Sequence, residues 1–295
     1  MTAPCPGPDP SPRAPRLRVP AGACDCHAHV FAPLAESPMV ADRGYTPPPA
    51  PLKEYRHMLD VLQLSRAVIV QPSVYGTDNS VTVDAVNALG ATARGIAVVD
   101  ETVSEGELER LHGAGIRGIR LNPKFGGGVG LGAMEALAAR IADLGWHIQL
   151  LIDARELPDV ADRLRALPVA IVIDHMGYMS VGHGLDDPGF RTLLDLVGDG
   201  RCWVKLSGAY RTTVAGPPYE DVGSFALALI EAGPSRMVWG TDWPHPAHDG
   251  PMPNDGDLLD LLGLWAPDEA LRHAILVDNP AALYGFDSRG SGAWT

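Results

Sequence analysis

The sequence is short of cysteine and of positive charge. Four of its 295 residues are cysteine, too few for a disulfide framework in a chain of this length, so we expect a reducing compartment, the cytoplasm. Lysine and arginine together number 23 against 36 aspartates and glutamates, which gives a net charge of −13. This acidity argues against nucleic acid and anionic membrane surfaces as partners, although a local basic pocket can still bind a small anionic substrate.

The chain also lacks an apolar run long enough to cross a bilayer, and no charged segment followed by an apolar one marks a secretory signal. Residues 1–20 are rich in proline and have no hydrophobic period, so we expect a disordered or loosely attached tail. We predict a second, frayed tail over residues 287–295, which leaves residues 21–286 as a single folded domain.

From residue 23 onward, short runs rich in Val, Ile and Leu alternate with amphipathic segments. The runs predict eight buried strands, over residues 23–30, 66–71, 95–99, 118–121, 148–152, 170–173, 203–206 and 237–239. The segments predict eight helices, over residues 51–62, 79–91, 104–114, 131–145, 156–167, 189–197, 219–232 and 257–264. Eight strands alternating with helices predict an α/β fold, a (β/α)8 TIM barrel. An open doubly wound sheet is the alternative, but the turn after the first run lacks that fold's glycine-rich phosphate loop.

The stretch Asp25-Cys-His-Ala-His29 is the strongest functional signal in the first strand. If this strand is regular, Asp25, His27 and His29 share one face, and Cys24 and Cys26 share the opposite face. Two imidazoles on one face can converge on a single point, which a lone histidine cannot do. The sequence therefore predicts a site at the end of this strand.

Two further residues extend this site, because His175 follows the sixth predicted strand and Asp242 follows the eighth. In a (β/α)8 barrel the catalytic groups lie at the carboxyl ends of the strands. Three imidazoles and a carboxylate can hold one divalent metal ion such as zinc, with His27, His29, His175 and Asp242 as ligands. In a metal-free alternative, the histidines polarise a carbonyl and Asp242 alone activates water as general base.

Basic residues at the same strand ends point to an anionic substrate. Arg120, Lys205 and Arg211 lie at or just past strand ends, and arginine binds carboxylates through two parallel hydrogen bonds. Two arginines on different strands indicate a substrate with at least one carboxylate. The competing interpretation is an ion pair within the barrel, for instance between Arg120 and Asp153. His245 follows Asp242 closely and either supports it or lies in the loop.

Six motifs resemble the amidohydrolase superfamily, in its amidohydrolase-2 branch, over residues 23–284. They are DCHAHVF at 25–31, VQPSVYGTDN at 70–79, GIRLN at 118–122, IDHMG at 173–177, KLSGAYR at 205–211 and WGTDWPHP at 239–246. The most similar subgroup contains 2-pyrone-4,6-dicarboxylate lactonase and related lactonases. The resemblance implies a distorted (β/α)8 barrel and a hydrolase that opens a lactone.

The resemblance also implies roles for individual residues. It places His27, His29 and His175 at the reacting carbonyl and makes Asp242 the base. It assigns the substrate carboxylates to Arg120 and Arg211, with Ser73 and Tyr45 beside them. The branch includes members with one zinc ion and members without metal, so both remain open.

Two departures from the lactonase subgroup bear on the substrate. A further carboxylate-binding arginine of the subgroup falls on residues 126–128 here, which are glycines, and a tyrosine is replaced by Leu151. A muconolactone or a sugar-acid lactone therefore fits as well as a pyrone dicarboxylate. The alternative activity is a zinc-dependent non-oxidative decarboxylase of an aromatic or muconate-type acid. A homo-oligomer is compatible with the sequence, as for many soluble enzymes.

Overall fold

The architecture was taken from a computed structural model, which describes residues 4–287. Eight strands form one parallel sheet in which each strand pairs with the next along the chain. They are β1 (Cys24–Ala28), β2 (Arg66–Val70), β3 (Ala93–Ala97), β4 (Ile116–Leu121), β5 (His147–Leu150), β6 (Ile171–Ile173), β7 (Cys202–Leu206) and β8 (Met237–Trp239). All eight predicted strands are confirmed, with ends that differ by two residues or fewer.

The sheet closes on itself where β1 meets the segment that follows β8. Asp242 N donates to His27 O at 2.8 Å, and His29 N donates to Trp243 O at 2.8 Å. A single parallel bridge joins Ala28 to Trp243 at this seam. Because a single bridge takes the place of a full strand pairing here, the barrel is nearly closed, as the (β/α)8 prediction expected.

Helices follow the strands and cover the outside of the barrel. They are α1 (Leu52–Leu62), α2 (Ser80–Leu89), α3 (Glu105–Gly113), α4 (Met134–Ile141), α5 (Leu157–Ala166), α6 (Pro188–Gly198), α7 (Ala209–Thr212), α8 (Gly223–Ala232), α9 (Asp255–Trp265), α10 (Glu269–His273) and α11 (Asn279–Tyr284). The eight predicted helices are present, though α4 is shorter than its apolar pattern suggested. The single turn α7, directly after β7, was not predicted, and it carries two residues of the site described below.

β1 is irregular, and this overturns the predicted division of its side chains between two faces. Its register against β2 shifts between Asp25 and Ala28. Cys24 and Cys26 pack inside the barrel with apolar residues of other strands, whereas Asp25 accepts a hydrogen bond from Tyr55 of α1 at 2.9 Å. The shift is a β-bulge, which re-aims the side chains that follow it. His27 and Cys26 consequently both reach the barrel interior.

The N-terminal segment lies along α9. Arg13 N donates to Asn254 Oδ1 at 3.0 Å, and the backbone N–H groups of Arg16 and Leu17 donate to Asp260 Oδ1 at 2.7 and 2.9 Å. These contacts differ from the loosely attached tail that we expected, because side chains of α9 satisfy backbone donors that the proline-rich segment cannot pair within itself.

Most of the second tail, residues 288–295, lies outside the described residues. Within residues 4–287, no helix combines the length and apolar character needed to cross a membrane.

Candidate active site

The structure brings together the four residues that the sequence placed at strand ends. His27 lies in β1 and His29 directly after it, His175 follows β6, and Asp242 follows β8. His27 Nε2 lies 3.2 Å from His29 Nε2 and 3.7 Å from Asp242 Oδ1. His175 Nε2 lies 3.6 Å from Asp242 Oδ2. All four side chains are buried, so they form one compact cluster at the mouth of the barrel.

Neighbouring groups restrict the tautomers of the imidazoles. His29 Nδ1 lies 2.7 Å from Val70 O, which only accepts, so Nδ1 carries the proton and Nε2 presents a lone pair. His27 can donate from Nε2 to that lone pair while its Nδ1 accepts from Lys205 Nζ at 3.3 Å. In its other tautomer, His27 Nδ1 carries a proton toward Asp174 Oδ1, 3.2 Å away. In that tautomer, the Nε2 lone pair of His27 and the Nε2 lone pair of His29 face the same point.

The two carboxylate oxygens of Asp242 differ in their surroundings. Oδ2 accepts from Tyr210 OH and from Arg211 Nε, each at 2.6 Å. Oδ1 is buried, and among residues 4–287 no group donates a hydrogen bond to it. Burial alone would raise the pKa of this carboxyl, but the Arg211 guanidinium holds it well below its usual range. Asp242 is therefore ionised, with one oxygen neutralised by its neighbours and the other available.

The three imidazoles are neutral at physiological pH. Burial is the main cause, since it lowers the pKa of His29 to about 3 and of His175 to about 4, and it lowers that of His27 well below its usual range. His175 Nδ1 lies 2.9 Å from Ser207 Oγ. If this hydroxyl donates, His175 Nε2 carries the remaining proton and can donate to a ligand.

Buried ion pairs hold two of the predicted basic residues. Arg120 Nη2 lies 3.2 Å from Asp174 Oδ2, so the partner of Arg120 is Asp174 and not Asp153. Gln149 bonds the same oxygen at 3.0 Å and accepts from Lys205 Nζ at 2.7 Å. Lys205 is completely buried beneath the imidazole cluster. It is placed to support the cluster from inside the barrel rather than to reach a substrate.

The cluster opens into a small cavity of about 20 Å³, close to the volume of one water. Its lining includes Tyr45, Arg120, Leu151, Tyr178, Arg211 and Asp242. Ser73 is buried nearby but does not line the cavity. Phe125 also lines the cavity and packs edge-on against the ring of Tyr45, with centroids 5.5 Å apart.

Two residues of this site received no role from the sequence. Asp174 bonds Arg120 and contacts His27, and Tyr210 of α7 bonds Asp242. Both follow strands, and that position was the signal available. Their roles depend on contacts across the barrel, which the sequence alone does not show.

The residues fit a divalent metal ion. Ligand atoms of His27, His175 and Asp242 all lie within 4.8 Å of one another. Two ligands of a tetrahedral zinc ion lie about 3.3 Å apart, close to the 3.2 Å between His27 Nε2 and His29 Nε2. The unpaired Asp242 Oδ1 would be a further oxygen ligand. A possible metal-binding set is therefore present, with Asp174 placed to orient His27 as such a ligand requires.

Comparison with known proteins matches almost the whole chain. The amidohydrolase family model covers residues 24–286. A 4-sulfomuconolactone hydrolase of Rhizobium radiobacter is 40% identical over 287 residues, 96% of each chain. A 2-pyrone-4,6-dicarboxylate hydrolase of Comamonas testosteroni is 39% identical over 292 residues, 93% of each chain.

A crystal structure gives the same agreement in three dimensions. A probable 2-pyrone-4,6-dicarboxylic acid hydrolase from Acinetobacter baumannii, with citric acid bound, superposes with a TM-score of 0.80 at 28% identity. The match covers 90% of this chain and 100% of that one. The Acinetobacter structure shares the barrel described above, and each of the three proteins matches at least 90% of this chain.

Proposed function

This chain belongs to the amidohydrolase family, and we propose that it is a lactonase that opens the ester bond of a carboxylate-bearing lactone by attack of water. The relatives that support this conclusion are lactone hydrolases by name and align along more than nine tenths of the chain. The citric acid bound to the Acinetobacter protein supports a small anionic ligand for this chain.

One observation carries the proposal: an ionised carboxylate with a free oxygen faces neutral imidazoles, and two arginines line the same cavity. Asp242 Oδ1 has the free lone pairs that a general base needs. Arg120 bonds Asp174 through Nε and Nη2, and Arg211 uses Nε and Nη2 for Asp242 and Pro246. Within residues 4–287 no hydrogen bond engages the Nη1 group of either arginine, which leaves both groups for a substrate carboxylate.

The chemistry proceeds through the chain's own residues as follows. Asp242 Oδ1 takes a proton from water as the water oxygen attacks the lactone carbonyl carbon. His175 Nε2 donates a hydrogen bond to the carbonyl oxygen as that oxygen gains negative charge. The ring C–O bond then breaks, and Asp242 returns its proton to the leaving oxygen. The product is an open-chain hydroxy acid, or its keto tautomer where the leaving oxygen is enolic, with one new carboxylate.

A divalent metal, if bound, would be held by the histidines and Asp242 and would polarise the carbonyl and the attacking water. The metal-free alternative uses the same residues as hydrogen-bond donors and base. Elemental analysis of the purified protein, with activity measured before and after a chelator, distinguishes the two. About one zinc per chain with activity lost on removal supports the metal mechanism, and full activity without metal supports the alternative.

The activity is tested with 4-sulfomuconolactone, 2-pyrone-4,6-dicarboxylate and an uncharged δ-lactone as control. Ring opening is followed by the lactone's ultraviolet absorbance and by acid release in a pH-stat. We expect turnover of at least one anionic lactone and little or none of the uncharged one. Release of CO₂ without ring opening would instead support the decarboxylase alternative and refute the lactonase proposal.

A further inference from the structure

A line of buried polar groups extends from Asp242 away from the substrate cavity. Tyr210 OH lies 2.6 Å from Asp242 Oδ2, and His245 Nδ1 lies 3.1 Å from the same hydroxyl. On its other side, His245 Nε2 lies 3.1 Å from Asp255 Oδ1. All four side chains are buried. Asp242 is thus connected to the first residue of α9 through two intermediate side chains.

Which group donates and which accepts at each contact follows from the number of protons that each side chain carries. An ionised carboxylate only accepts, so the single Tyr210 proton points to Asp242. The hydroxyl oxygen must then accept, which places a proton on His245 Nδ1. His245 Nε2 lies 3.1 Å from Asp255 Oδ1, outside an aligned hydrogen bond, and two bare lone pairs would repel at this distance. The contact orients His245 when the pair holds one proton, on Nε2 or on the carboxyl, and each group then orients the next, from Asp255 to Asp242.

Asp255 has no evident purpose other than this contact. Both of its oxygens are buried, and among the described residues neither receives a hydrogen bond. Burying a carboxylate away from donors is costly. The N-terminus of α9 offsets part of this cost through the helix dipole, but a solvent-exposed aspartate would benefit from the dipole without that cost.

Resting on the proposed function, we propose that Tyr210, His245 and Asp255 form a positioning relay for Asp242. The relay fixes the plane of the Asp242 carboxylate, so that Oδ2 stays engaged and Oδ1 faces the attacking water. His245 N also donates to Asp242 O at 2.7 Å, which holds the turn that carries both residues. Asp255 acts on the reaction only through His245 and Tyr210, at the end of the line.

The test is a double-mutant cycle in kcat with Tyr210→Phe and Asp255→Asn, each near-isosteric. Tyr210→Phe removes a hydrogen bond to an ionised group, which we expect to lower kcat about 10- to 100-fold. KM should change less than about threefold, since neither residue supplies the free arginine groups that would bind substrate. Asp255→Asn should lower kcat about 3- to 30-fold, and the double variant should match Tyr210→Phe alone within about twofold.

Asp257→Asn is the matched control, because it removes the same charge two residues further along α9. The side chain of Asp257 is half exposed and pairs with Arg13, away from the site. Its kcat should equal that of the wild type. Wild-type kcat in Asp255→Asn, or a double variant whose loss is the product of the two single losses, would overturn the relay.

A failure of the proposed function gives a different result. If the wild type opens no lactone in the panel, the lactonase proposal fails, and the relay is judged on urea denaturation of the free protein. The shifts in urea midpoint caused by Tyr210→Phe and Asp255→Asn should then be non-additive, because His245 links the two residues. Additive shifts would overturn the relay without reference to any substrate.

Discussion

The seam of the barrel rests on one buried carboxylate, and replacing it tests how the closure is stabilised. Asp25 Oδ1 accepts from His27 N at 3.1 Å and from Thr241 N at 2.9 Å. Asp25 Oδ2 accepts from Tyr55 OH at 2.9 Å and Thr241 Oγ1 at 2.6 Å. In Asp25→Asn, the amide oxygen can serve the two fixed backbone donors. Its NH₂ group then faces two hydroxyls that were donating.

The size of the effect follows from these contacts. Thr241 Oγ1 has an alternative acceptor in His27 O at 3.3 Å, so Tyr55 is the hydroxyl left without one. A buried donor without an acceptor costs about 1–3 kcal/mol, and loss of the charge-assisted bonds adds about 1–2 kcal/mol. We therefore expect Asp25→Asn to lower the free energy of unfolding by about 2–4 kcal/mol at pH 7.

The loss should also depend on pH. Burial raises the pKa of Asp25 from 3.8 to about 6, against the four hydrogen bonds that favour the ionised form. Between these values the folded protein binds the extra proton, so the contribution of Asp25 to stability rises as pH falls. About two pKa units correspond to about 3 kcal/mol. The difference between wild type and Asp25→Asn should therefore grow by up to that amount from pH 7 to pH 4.

Urea titrations followed by tryptophan fluorescence measure these differences. Tyr55→Phe is the companion variant, expected to cost about 1 kcal/mol because it removes one of the four donors. In the double variant, Tyr55→Phe also removes the Tyr55 hydroxyl, whose proton lacks an acceptor in Asp25→Asn. The double variant should then lose less than the sum of the single losses. Two results together would refute the reasoning. The loss in the double variant would equal the sum of the two single losses, and the difference in free energy of unfolding between wild type and Asp25→Asn would not change with pH.

Four further predictions concern the site itself. Asp242→Asn should lower kcat at least about 100-fold in a protein that still folds, and wild-type turnover would remove Asp242 from the mechanism. Arg120→Met should raise KM for anionic lactones at least about tenfold, whereas the exposed control Arg191→Met should leave it unchanged. Since burial lowers the pKa of His29 to about 3 and of His175 to about 4, kcat/KM should show no titration near pH 6.5. Because these folded-state values lie below the unfolded value of 6.5, the same two residues should lower the free energy of unfolding as pH falls from 6.5 toward 4, and melts across this range check the sign.

The barrel could be predicted from the sequence because strands buried on both faces read as short apolar runs separated by amphipathic helices. The meeting of His27, His175 and Asp242 followed from the same pattern, since the carboxyl ends of parallel strands share one end of the barrel. Long-range pairing was beyond this reasoning. The partner of Arg120 and the buried position of Lys205 depend on side chains that meet across the interior, and sequence spacing does not encode which ones meet.

The register shift in β1 could not be predicted from the sequence either. Alternation in a strand is a local rule, but a bulge is set by how the strand pairs with β2 and with the segment after β8. The N-terminal segment illustrates the same limit: its composition indicates disorder, and its order comes from acceptors on α9 that are some 240 residues away in the chain.

The bulge makes the position of His27 depend on a count of residues as well as on their identities. Replacing Cys26 by another small residue would leave that count intact, and the strand could keep both neighbours in place. Deleting Cys26 would restore the regular pleat and put His27 in the inward place that Cys26 now holds. The imidazole would then lose the position that the bulge gives it relative to Asp242, even though every proposed catalytic residue would remain in the chain. For this enzyme, a one-residue gap in β1 is therefore a more severe lesion than most substitutions there, and alignments of engineered or natural variants should be read with that spacing in mind.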